Sequence, residues 1–68
     1  MKTVVVLGAL GMAGHIMTEY LNNTGDYKVL GVARQSGQNV SEVLDVLDFD
    51  KLTVFLKESK ADIVINCI

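Results

Sequence analysis

The sequence has no proline, a single cysteine and no apolar stretch near the length of a membrane span. One cysteine excludes an internal disulfide framework, and nothing around it or the lone histidine has the spacing of a zinc site. A bilayer-crossing helix needs about 18 or more consecutive apolar residues, and no run here approaches that. Charge of one sign is scarce too: 6 Lys and Arg stand against 8 Asp and Glu, for a net charge of −2. There is therefore no positive footprint for nucleic acid or for an anionic membrane surface. Met1-Lys2 opens a strand-like run, without the apolar stretch and small-residue cleavage site of a secretory signal. A reduced, cytoplasmic setting is the expectation.

What is present is apolar. Half of the 68 residues are hydrophobic and only 21% are charged. A chain this short buries about 60% of its unfolded surface and is marginal on its own. Such a composition suits part of a larger core.

The hydrophobic period changes along the chain. Thr3 to Leu7 is a continuous β-branched run, the pattern of a strand covered on both faces in a parallel sheet. After it, Met12, Ala13, Ile16, Met17, Tyr20 and Leu21 recur at helical spacing, with His15, Thr18, Glu19, Asn22 and Asn23 on the opposite face. Gly25 is a suitable left-handed stop for that helix. Tyr27 to Ala33 reads as a second strand and Arg34 to Ser41 as a loop. Val43 to Val46 is a short third strand. Asp48 caps a second helix with Asp50 favouring its dipole. Phe49, Leu52, Phe55 and Leu56 form the inward stripe of that helix, and Lys51, Lys57, Glu58 and Lys60 face water. Ile63 to Ile68 is a last apolar strand. Strands joined through helices imply right-handed crossovers, so the predicted architecture is α/β: a partial Rossmann doubly wound parallel sheet, strand order 3-2-1-4, with two helices. Residues 1–68 are expected to be the N-terminal part of a dinucleotide-binding domain that a longer chain would complete.

Gly8-Ala9-Leu10-Gly11-Met12-Ala13-Gly14 carries the functional signal. Gly8 allows a tight turn at the end of the first strand. Gly11 lets backbone approach a ligand with no Cβ in the way. Gly14 permits close packing of helix on strand. The N–H groups of Met12 and Ala13 lie at a helix start, where unpaired donors and the helix dipole favour a pyrophosphate. A glycine pattern alone is weak, but one that follows a strand and opens a helix has the confirming context. Arg34 ends the second strand, 20 residues after Gly14, where an acidic residue would accept from ribose hydroxyls and select NAD. A guanidinium there suits a 2′-phosphate, with the Ser36 hydroxyl as a second donor, so the expected cofactor is NADP. The alternative is a solvated arginine at a loop start.

The G-x-x-G-x-x-G spacing resembles that of the extended short-chain dehydrogenase/reductase superfamily. Within it, Leu44-Asp45-Val46-Leu47-Asp48 and Ala61-Asp62-Ile63-Val64-Ile65-Asn66-Cys67 are similar to segments of the dTDP-4-dehydrorhamnose reductase family and its sugar-nucleotide-binding relatives. The resemblance covers the whole chain. It implies that Asp45 accepts from the adenine amino group while the backbone of Val46 meets the ring. It also implies that Asn66 and Cys67 line the cofactor near its ribose and diphosphate. Asp45 reads equally well as a turn residue, and Cys67 as a small buried hydrophobe rather than a nucleophile. His15 reads as solvated. The Tyr-x-x-x-Lys pair of the superfamily is absent: Thr24 follows Tyr20 and Gly31 follows Tyr27 at that interval. A cofactor-binding portion without its acid catalyst is thus the expectation, with the parent reducing a 4-keto nucleotide sugar. A nucleotide-sugar epimerase or dehydratase, or a non-catalytic binding or regulatory protein, is the alternative. The apolar last strand, if uncovered, invites pairing between chains.

Overall fold

A computed structural model describes residues 1–68. In chain order the elements are β1 (Lys2–Leu7), α1 (Met12–Thr24), β2 (Tyr27–Ala33), β3 (Glu42–Val43), α2 (Phe49–Ser59) and β4 (Ile63–Asn66). They form one four-stranded sheet of order β3-β2-β1-β4, with every neighbouring pair parallel. This is the expected architecture. β1 is the central strand: Val4 lies opposite Val29 on one side and Ile63 on the other. Val4, Val5, Val6 and Leu7 are all buried, as a run without polar alternation requires. Val5, Leu7, Val32 and Leu44 make a core against which Leu52, Phe55 and Leu56 of α2 pack. No helix is long and apolar enough to cross a membrane.

Helix α1 sits differently from its apolar pattern. Its inward face is Gly14, Met17, Thr18 and Leu21, with Gly14 and Thr18 buried and the other two half-buried. Met12, Ile16 and Tyr20, expected inside, are 85%, 61% and 65% exposed. The reason lies at Gly14: a Cβ there would overlap the Gly8 carbonyl oxygen, so this face approaches the strand most closely. Thr18 can follow it inside because its hydroxyl donates to the Gly14 carbonyl at 2.7 Å, leaving no unpaired polar group. Gly25 ends the helix at φ 72°, as expected, and donates to the Asn22 carbonyl.

Three other expectations need correction. β3 stops at Val43, because Asp45 turns the chain: its carboxylate accepts from Leu47 N at 3.0 Å and its carbonyl from Asp48 N at 2.9 Å. Phe49, at the first turn of α2, is 70% exposed rather than part of the inward stripe. β4 ends at Asn66, whose side-chain oxygen accepts from Ile68 N. Ile63 and Val64 on that strand are exposed, and its outer edge has no partner strand.

Candidate functional site

The site is built where β1, β2 and β4 end. After Leu7 the chain turns at Gly8, with φ 81°, a conformation that favours glycine. The N–H groups of Gly8 and Ala9 both donate to the Val32 carbonyl, at 2.9 and 3.0 Å, tying the turn to the end of β2. Cys67 N donates to the Leu7 carbonyl at 2.9 Å and ties it to the end of β4. β1 lies between a strand that follows it directly and one that arrives last. That is the reversal of strand order at which open parallel sheets bind ligands. A cleft of about 950 Å³ opens there, lined by the glycine turn, the ends of β2 and β4, and the segment after β3.

The three glycines of the turn do different work. Gly8 carries the positive φ, and Gly14 makes the helix–strand contact. Gly11 does neither. Its φ is −70°, and a Cβ built on it would meet the Gly8 carbonyl oxygen at 3.4 Å, an ordinary contact. Nothing in the folded chain requires glycine at position 11, and Gly11 lines the cleft.

The two helix starts also differ. Asp48 caps α2 by accepting from Lys51 N at 3.3 Å, and Asp50 adds negative charge in its first turn. The start of α1 has no side-chain cap and no acidic residue. The N–H groups of Met12, Ala13 and Gly14 donate to no backbone or side-chain acceptor. Helix α2 satisfies its own dipole, whereas α1 presents free donors and partial positive charge beside the turn. Together, free donors and a glycine that leaves room for close approach fit an anionic group such as a pyrophosphate.

The other expected site residues distribute around the cleft. Arg34 lines it at the end of β2, with its guanidinium in no ion pair. Ser36 is exposed two residues further on, outside the lining. Asp45 and Val46 also line the cleft, and of the two carboxylate oxygens of Asp45 the turn uses only Oδ1. Asp48, as expected, is a cap. Cys67 lines the cleft and is half-buried, while Asn66 is exposed and outside the lining. His15 stands apart on α1, 3.4 Å from Glu19, with 43% of its side chain exposed. Leu10 was not among the expected site residues, yet it lines the cleft and rests on the loop after β2. Its place in the middle of the glycine turn was the available signal.

Comparisons with known proteins bear on the family and the fold. Residues 4–68 match the family model described as the NAD dependent epimerase/dehydratase family. Among solved structures the chain is similar to L-threonine dehydrogenase from Clostridium difficile. The identity is 27%, the TM-score 0.82, and the match covers 97% of this chain and 23% of that one. This chain thus spans less than a quarter of the length of that relative. No curated protein matches at a significant level.

Proposed function

This chain belongs to the NAD dependent epimerase/dehydratase family, and on that premise we propose that it is the cofactor-holding part of an NADP-dependent reductase of nucleotide sugars. The observation that carries the proposal is the uncapped start of α1 beside Gly11. In this reading the N–H groups of Met12 and Ala13 donate to the pyrophosphate, and Gly8, Gly11 and Gly14 shape the approach. Arg34, helped by Ser36, takes the 2′-phosphate. Asp45 and Val46 flank the adenine, Asp45 through the carboxylate oxygen its turn leaves free. Asn66 and Cys67 line the ribose and diphosphate. When bound, the nicotinamide supplies hydride. The residues present hold and orient; none is an acid catalyst, since no Tyr-x-x-x-Lys pair occurs. A 4-keto sugar nucleotide of the dTDP-4-dehydrorhamnose type is the proposed substrate of the complete enzyme, and a cytoplasmic setting belongs to the same reading. The likeness to L-threonine dehydrogenase favours a second reading, in which the complete enzyme oxidises an amino acid.

Two measurements bear on this proposal. Titration of the chain with NADPH and NADH tests the cofactor. Arg34→Ala is expected to weaken NADPH binding about tenfold or more, the scale of a charge-assisted hydrogen bond, while NADH binding stays unchanged. Equal affinities of the parent chain for the two cofactors would contradict the assignment to NADP. The unpartnered edge of β4, with Ile63 and Val64 exposed, is proposed to pair between chains when uncovered. Size-exclusion chromatography of the isolated chain should then show concentration-dependent association that Val64→Lys reduces. A monomer at all concentrations would count against this pairing.

A further inference from the structure

The loop after β2 is anchored to the sheet by backbone bonds at Ala33 and at Ser41, and one side chain rests on its middle. Gly31, within β2, accepts from Ser41 N at 2.8 Å and packs so closely on Asn39 that a Cβ would overlap the Asn39 carbonyl oxygen. Residues 39–41 are therefore fixed to the sheet. Arg34, Gln35 and Ser36 are different: they form no hydrogen bond with any other residue and all are exposed. Where this free arc ends, at Gly37, the side chain of Leu10 lies against the backbone. A Cβ built on Gly37 would stand 2.9 Å from Leu10 Cδ2 and 3.3 Å from Cδ1. Leu10 belongs to the glycine turn, so one leucine joins the turn to the loop that carries Arg34.

We propose that Leu10, seated on Gly37, is the positioning and specificity-determining residue that holds the Arg34–Ser36 arc at the height needed to grip a phosphate on the adenosine ribose. The inference rests on the NADP reading above. Its physical basis is that a polar grip is worth most when its support is locked by packing. The Arg34 guanidinium has no ion pair or hydrogen bond to hold it; the arc is tied by backbone at Ala33, which accepts from Leu44 N, and at Gly37, which accepts from Val40 N, and the leucine packs against its far end. Gly37 has no positive φ, so a larger residue is tolerated by the backbone, and the nearest atoms that its Cβ meets are those of the leucine. Exchange of volume across the contact is therefore possible: Leu10→Ala removes about the same volume that Gly37→Val adds.

The test measures NADPH and NADH dissociation constants for the parent, Leu10→Ala, Gly37→Val, the double variant and Arg34→Ala. Each single variant is expected to lower the preference for NADPH by about tenfold with NADH binding unchanged, and the double variant to restore most of it. A purely structural role would weaken both cofactors together and leave their ratio alone. The proposal is overturned if Arg34→Ala abolishes the preference while both single variants at the leucine contact keep it within about twofold of the parent. If Arg34→Ala itself leaves the preference intact, the NADP reading fails and the role of Leu10 falls with it.

Discussion

Gly14→Ala is expected to remove most of the chain's stability. The added methyl would overlap the Gly8 carbonyl oxygen and approach Ala9 Cα, both parts of a turn that cannot move. Gly8 and Ala9 are held there by their shared bonds to the Val32 carbonyl. Relief requires α1 to lift from the sheet, which would expose the face that Gly14 and Thr18 now bury. Overpacking of this kind costs about 3 kcal/mol. A domain of this size has about 3–5 kcal/mol from its core, so the loss consumes most of its stability. Urea denaturation followed by circular dichroism checks this. A transition midpoint close to that of the parent would show that α1 has another way to dock.

Gly11→Ala is expected to do the reverse. At φ −70° and with 3.4 Å to the nearest oxygen, the methyl fits the fold. The change at a helix start costs about 1 kcal/mol at most. Yet Gly11 lines the cleft, and a methyl there takes up room that an anionic ligand would use to reach the free N–H groups of Met12 and Ala13. Keeping that ligand from two such donors should weaken dinucleotide binding about tenfold or more. The check is a paired one, in which stability and cofactor affinity are measured on the same variant. Retained affinity would remove the reason given for glycine at position 11.

This contrast between neighbouring glycines was only partly legible in the sequence. Their roles in turn, approach and packing follow from strand–turn–helix context, and the structure gives Gly8 and Gly14 those roles through φ 81° and a backbone contact. Strand order was legible because short connections through helices leave few topologies. β1 and the Gly25 cap were legible because each rests on a local signal: a β-branched run and a left-handed stop. The facing of α1 was not legible. Periodicity weighs apolar character, whereas closeness of approach at Gly14 decides which face turns inward, and Thr18 conceals its polarity in a bond to its own helix. Asp45 was read both as a turn residue and as a ligand group; the structure assigns one of its oxygens to the turn. The contact of Leu10 was not legible, because Gly37 lies across the loop after β2 and is not marked by any spacing.

The most direct measurement is a titration of the isotopically labelled chain with NADPH, followed by the amide resonances in nuclear magnetic resonance. Binding at the uncapped helix start should move the amides of Gly11, Met12 and Ala13 most, with Arg34 next. The capped start of α2 at Phe49 and Asp50 should stay still. Shifts centred on α2, or none at the glycine turn with saturating cofactor, would contradict the assignment of this turn as the dinucleotide site.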